Sequence, residues 1–207
     1  MILLLPTSEQ IDNAHRRERE LTDFVKSHSG KSHLNNSILR GKGTLAGMVG
    51  EEMSKSIYTD WEPSSGDALF HYDLLDLLHL GRVEIKTKQC TSEPKPDYNC
   101  SVAASNIKQQ CDYYLFVRTL MDFSKVWILG FMPKEQFYKD SYFGKRGAID
   151  PASNQNWRFR WDCYNMPISQ LIPPPETPEG LALFQHRPAA SPNFDPMADI
   201  ARSPVAL

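Results

Sequence analysis

His71-Tyr72-Asp73-Leu74-Leu75 and, a few residues later, Arg82-Val83-Glu84-Ile85-Lys86-Thr87-Lys88 decide how this chain is read. In the second stretch Val83, Ile85 and Thr87 alternate with Glu84, Lys86 and Lys88. Side chains on a strand alternate between its two faces, so the spacing predicts a strand with an apolar side and a side carrying one acid and two lysines. The intervening Asp76 to Gly81 is short enough for a hairpin, which brings Asp73 to the neighbouring strand and into the same charged cluster. Taken without its surroundings, the set also suits a surface salt-bridge ladder across a hairpin. The elements on either side are therefore what give it meaning.

Upstream, Thr7-Ser8-Glu9-Gln10 has capping-box spacing, and Ile11, Ala14, Leu21, Phe24 and Val25 predict a peripheral helix to about Lys26. The polar, glycine-containing stretch from Ser27 to Gly43 reads as a loop. Leu45, Met48, Val49, Met53 and Ile57 then recur at helical spacing and predict a second helix over Thr44 to Tyr58. Trp61 to Asp67 reads as a turn. Downstream, Gln89 to Asn99 reads as a loop and Ser101 to Cys111 as a helix. Tyr113 to Leu120 and Val126 to Met132 read as buried strands, and Pro133 as the first-turn residue of another helix. Asp162 to Leu171 predicts a short strand followed by a turn. The expected class is α/β, a mixed central β-sheet flanked by helices.

The bulk numbers narrow the function classes. A chain of 207 residues, 41% hydrophobic, has material for one domain with a core. Eight of the 15 prolines fall in the last 35 residues, so residues 173–207 read as a flexible tail after an N-terminal helix and loop (1–43) and a core domain (44–172). A net charge of -2 provides no global attraction for a polyanion, which leaves local basic patches such as Arg16, Arg17 and Arg19, or Arg158 and Arg160. Each of these is by itself an ordinary solvated face. Four cysteines without CxxC spacing suit free thiols in a reducing cytoplasm, and the apolar run Met1 to Leu5 is too short to span a membrane. Gly30-Lys31-Ser32 lacks the first glycine of a phosphate-binding loop, since Val25 stands there. His71 and His79 have no ligand-type neighbours at helical spacing and are read as structural or solvent-facing.

Phosphodiester hydrolysis calls for the type of cluster seen here. Hard carboxylate oxygens hold Mg2+ or Mn2+, and a nearby ammonium offsets charge building on phosphoryl oxygens. Tyr72-Asp73-Leu74 and Glu84-Ile85-Lys86, with 10 residues between the two acids Asp73 and Glu84, resemble the signature of the PD-(D/E)XK nuclease superfamily, with tyrosine in place of the usual proline before the aspartate. Gly47-Met48-Val49-Gly50-Glu51-Glu52 resembles the Gly-Glu element of that superfamily's first core helix, and the likeness spans about Thr44 to Met132. Small intracellular members of bacterial or phage origin look similar. The resemblance implies a restriction-endonuclease-like fold with an αβββαβ core and a metal-dependent deoxyribonuclease. Asp73, Glu84, the backbone carbonyl of Ile85 and Glu51 would hold Mg2+ or Mn2+, and Lys86 would stabilise charge or position water.

Periodicity favours Glu52 as the inward acid of the helix, whereas the superfamily pattern favours Glu51, the residue chosen here. Polar Asn106, Gln109 and Gln110 follow, and in this superfamily a polar residue at that place assists at the site. Lys88, Lys42 and Lys145 are the expected phosphate contacts. The expected partner is DNA, bound modestly and with salt sensitivity unless a homodimer forms. Two alternatives remain open: a non-catalytic nucleic-acid- or protein-binding module on the same fold, and a Holliday-junction resolvase.

Overall fold

The computed structural model describes residues 1–27, 43–65, 71–76, 80–151 and 157–176. Lys42, His79 and the tail beyond residue 176 lie outside the described residues, as does most of the Ser27-to-Gly43 loop. In chain order the strands are β1 (Ile2–Leu4), β2 (Glu62–Pro63), β3 (Leu74–Asp76), β4 (Gly81–Cys90), β5 (Asn99–Ala103), β6 (Tyr113–Leu120), β7 (Val126–Pro133), β8 (Tyr142–Gly144) and β9 (Cys163–Pro167). The α-helices are α1 (Ser8–Ser27), α2 (Gly43–Ile57) and α3 (Lys134–Asp140). No helix among the described residues is long and apolar enough to cross a membrane.

Six strands form one mixed sheet in the order β1-β7-β6-β4-β3-β2. At its centre β4 and β6 run parallel, with Glu84 beside Tyr114 and Lys86 beside Phe116, while β3 runs antiparallel to β4, with Leu74 opposite Val83. Side-chain alternation then sorts the residues into two cores. Val83, Ile85, Leu115 and Val117 face α1 and α2, together with Met48, Val49 and Met53. Tyr114 and Phe116 face the other way, with Phe137 of α3 and Cys100, Val102, Tyr164 and Met166 of a second, three-stranded sheet ordered β5-β9-β8.

Two glycines make this layering possible. Gly50 lets α2 settle on β4: a Cβ there would lie 2.0 Å from Thr87 Oγ1. Gly130 has φ +155° and sits where the β6–β7 register shifts between Phe116 and Val117. The bulge reverses the alternation along β7, so Ile128 and Phe131 both reach the helical side while Leu129 and Met132 reach the other. A side chain at Gly130 would strike the carbonyl of Ile172, 2.5 Å away.

The capping box at the start of α1 forms, with Thr7 N–H donating to Gln10 Oε1 (2.9 Å) and Gln10 N–H to Thr7 Oγ1 (3.2 Å). Other expectations need correction. The helix expected over Ser101 to Cys111 is instead strand β5 followed by a single turn of 3-10 helix, Ala104–Lys108. Cys100 and Val102 alternate into the second core, and pairing with β9 outweighs local helical preference. The turn expected at Trp61 to Asp67 contains the two-residue edge strand β2, where Pro63 is tolerated because an edge needs no donor on its outer side. Met1 to Leu5, read only as an apolar run, contains edge strand β1. Pro133 closes β7 and caps α3 rather than filling its first turn.

After α3 the chain forms β8 and then a narrow antiparallel ribbon of residues 145–150 against 157–162. Gly147 N–H donates to the Phe159 carbonyl (2.8 Å), Phe159 N–H to that of Ala148 (3.0 Å) and Asp150 N–H to that of Trp157 (2.8 Å). At the start of the expected tail, the carbonyl of Pro175 accepts from the Tyr58 hydroxyl at 3.2 Å.

Candidate active site

The site forms where β3 parts from β4. Continuing the Leu74–Val83 register sets Asp73 beside Glu84, one residue before the strand proper rather than within it as expected. Asp73 ties off the ladder there. Its N–H donates to the Val83 carbonyl (3.1 Å), and its Oδ2 accepts from the Ile85 N–H (2.7 Å). A side-chain oxygen thus takes the place of a missing strand carbonyl, fixing the aspartate against β4.

Glu84 and Lys86 share the face of β4 that looks away from α2. Lys86 Nζ contacts Glu84 Oε1 at 2.6 Å and donates to Gln109 Oε1 at 2.9 Å, while Gln109 Nε2 donates to the same Glu84 oxygen at 2.7 Å. The amide of Gln109 therefore bridges acid and lysine. It lies just after the 3-10 helix, its N–H bound to the Asn106 carbonyl at 3.0 Å and its own carbonyl accepting from Lys134 Nζ. Asn106 and Gln110 make no comparable side-chain contact with the acids among the described residues. Tyr114, beside Glu84 on β6, places its ring 5.7 Å from Lys86 Nζ and hydrogen-bonds Tyr138 at 3.0 Å.

The third carboxylate comes from α2. Glu51 is 6% exposed, and Arg17 of α1 meets its Oε2 at 2.5 Å. Glu52 instead turns toward Asn13, whose Nδ2 lies 3.4 Å from its Oε1. The charge pattern of the sequence puts Arg17 on a solvated basic face, and the structure corrects this. It lies three residues after Ala14 and four before Leu21, on the stripe that packs against the core. An arginine on an apolar stripe was the available signal.

These three acids act on one another electrically. Burial raises the pKa of Asp73 well above the usual aspartate value. The charges of Glu84 and Glu51 raise it further, and Lys86 and the Ile85 N–H only partly offset them. Burial likewise raises Glu51, with Arg17 pulling it down and Glu84 pushing it up. Among the described residues, Asp73 Oδ1, Glu84 Oε2 and Glu51 Oε1 accept no hydrogen bond. No three His, Cys, Asp or Glu side chains among the described residues are already drawn together as a metal cage.

Of the expected phosphate contacts, Lys88 follows Lys86 on the same face and is exposed, with Nζ 5.6 Å from the ring centroid of Trp157. Desolvation of its ammonium, then the nearby Arg118, hold its pKa below the usual lysine value. Lys145 is exposed on the ribbon. The buried Arg118, inconspicuous in sequence inside an apolar run, donates to the Asn99 carbonyl at 2.8 Å and faces the Tyr98 ring at 5.5 Å. Near the site the Nδ1 of His71 is buried without a partner among the described residues. All four cysteines are free.

Comparison with protein-family models and with curated proteins finds no match to this chain.

Proposed function

We propose that this chain is a metal-dependent deoxyribonuclease on a restriction-endonuclease-like fold. The observation that carries the reading is that Asp73, Glu84 and Glu51, carboxylates from three different elements, lie near enough to act on one another's charge, with Lys86 2.6 Å from Glu84. The strand order supports the fold reading. β2, β3 and β4 form an antiparallel meander after α2, and the chain then crosses to β6, parallel to β4.

The donor set fits Mg2+ or Mn2+. It is all hard oxygen, and burial, with the charges of Glu84 and Glu51 added to it, raises Asp73, an imbalance that a dication would correct. Asp73 and Glu84 would hold the ion, with Glu51 and the Ile85 carbonyl beside them. When bound, such an ion supplies Lewis acidity to a phosphoryl oxygen and acidifies a coordinated water. The residues of the chain do the rest. Glu84 and Gln109 together aim the Lys86 ammonium, placing a positive charge where phosphoryl oxygens gain negative charge. The Ile85 N–H fixes the orientation of Asp73. Arg17 pairs with the Glu51 carboxylate and offsets part of the burial that raises its pKa.

One observation favours the rival reading of a non-catalytic binding module. Glu84 already has Lys86 as its counter-ion, and Glu51 has Arg17. A single experiment separates the two. Purified protein is incubated with plasmid, single-stranded DNA and a four-way junction, with Mg2+ or Mn2+, beside Glu84→Ala and Lys86→Ala. The nuclease reading expects metal-dependent cutting that falls by roughly 10²-fold or more in each variant. If wild type leaves every substrate intact, or the variants cut equally, the binding module is the better account. Preference for the junction would mark a resolvase.

A further inference from the structure

The ribbon of residues 145–150 and 157–162 stands out from the rest of the surface. Large apolar side chains are usually buried, yet Trp161 is 69% exposed and Trp157 is 40% exposed. Each indole has a cation over it. The Arg146 guanidinium lies 5.7 Å from the Trp161 ring, and Lys88 Nζ lies 5.6 Å from that of Trp157. The buried Phe159 between them anchors the ribbon. Its ring packs edge-on to Trp157 at 5.4 Å and against Tyr142 at 6.5 Å, and it fills the space over Gly144.

Charge on the ribbon is predominantly positive. Lys145, Arg146, Arg158 and Arg160 are all exposed, against two carboxylates, Asp150 and Asp162. Both carboxylates are held by the ribbon and its base. Asp162 accepts from the Arg146 N–H at 2.7 Å, and Asp150 accepts from the Tyr142 hydroxyl at 2.7 Å. Exposed indoles interleaved with cations are the pairing that binds a nucleic-acid strand, with rings under bases and cations on phosphates.

The position connects this surface to the acids. Lys88 is two residues beyond Lys86 on the same face of β4, about 7 Å along the strand. A strand whose phosphate sits at Lys86 would have its next unit at Lys88 and Trp157, and Trp161 lies four residues further along the same ribbon segment.

We infer that this ribbon is a stacking platform for an unpaired strand of nucleic acid, leading that strand to the carboxylate site, so that the substrate of the proposed nuclease is single-stranded or has a single-stranded arm. The placement of the reacting phosphate rests on the nuclease reading, while the platform itself does not. Duplex DNA offers an indole no free base face except at its ends, whereas an unpaired strand offers one at every base.

The test uses the full chain in EDTA, so that binding is read without cleavage. Tryptophan fluorescence is titrated with oligothymidylate of about ten nucleotides and with a duplex hairpin of equal stem length. Expected are quenching and tighter binding of the oligothymidylate, weakened about tenfold in Trp161→Ala and in Trp157→Ala, as is typical for loss of one stacked base. Trp161→Phe should retain most of the affinity. Both sites are exposed, and circular dichroism checks that each variant is folded.

Equal or tighter binding of the hairpin overturns the inference. So does an unchanged oligothymidylate affinity in both alanine variants, or a loss confined to Arg146→Gln, which would leave only a charged surface. The same preparations are assayed with Mg2+ for cutting. Tryptophan-dependent binding without cutting leaves the platform standing and removes the nuclease. Cutting with tryptophan-independent binding does the reverse.

Discussion

Replacing Asp73 by asparagine should make the metal-free protein more stable at neutral pH while abolishing cutting. The amide oxygen can still accept the Ile85 N–H, so the sheet remains tied off. What disappears is a carboxylate whose pKa is raised by burial and by Glu84 and Glu51. A raised pKa means that the folded state holds the proton where the unfolded state, near 3.8, has released it. Wild-type stability therefore falls as pH rises from that value toward the folded pKa, by up to about 1.4 kcal/mol per pH unit for this one proton. The neutral amide of the Asp73→Asn variant carries no such penalty. For a chain of this size each 1 kcal/mol moves Tm by about 2–4 °C, so the variant should gain about 3–6 °C over wild type per unit of that window. The assay is calorimetry in EDTA at half-unit steps from pH 4 to 8. Adding Mg2+ should then raise wild type by about 2.7 kcal/mol at a hundredfold excess over Kd, and the variant much less. Parallel Tm–pH curves, or a variant less stable than wild type at neutral pH, would refute the electrostatic account of the site.

The helix acid is tested by Glu51→Gln and Glu52→Gln: cutting should drop by roughly 10²-fold in the first and stay near wild type in the second, measured on plasmid with Mg2+. Arg17→Ala leaves Glu51 buried without its partner and should cost roughly 3 kcal/mol in urea denaturation at pH 7.5. That cost should shrink at pH 5 as Glu51 takes up a proton. An equal cost at both pH values would assign it to lost packing instead. Gly50→Ala pushes a methyl into Thr87 and should destabilise by about 1–3 kcal/mol, and Thr87→Ala in the same chain should recover most of that. Failure of that rescue would mean that the helix itself, rather than its contact with β4, limits the position.

Where the sequence carries a strong period, it was readable. β6 spans the predicted Tyr113 to Leu120, and the alternation on β4 does separate Val83 and Ile85 from Glu84 and Lys86. α2 was readable from its stripe, though Glu51 was not. At the rim of a packed helix, burial is set by the neighbouring element, here Arg17 of α1, and not by the helix's own periodicity. Cys100 and Val102 fit either a strand or a helix locally, and only β9, more than sixty residues later, decides for the strand. Trp157, Phe159 and Trp161 alternate with Arg158 and Arg160, a period-two signal legible in the sequence. Its partner is not: residues 145–150 show no such alternation, and the ribbon exists because the two segments pair through their backbones.

The parallel pairing of β4 with β6 fixes more than the sheet. The charged residues Glu84, Lys86 and Lys88 stand at even-numbered positions of β4 and the residues packed under α2 at odd-numbered ones, so the strand carries a parity. Removing one residue from the middle of β4 would exchange the two sets beyond the cut: with Ile85 deleted, Lys86 would point at α2 and Thr87 would take its place beside Gln109. A two-residue deletion would restore the parity while shortening the strand. Tolerance of length change in β4 should thus alternate rather than decline smoothly, and a deletion series scored for solubility would show the core selecting the same register that the acids require.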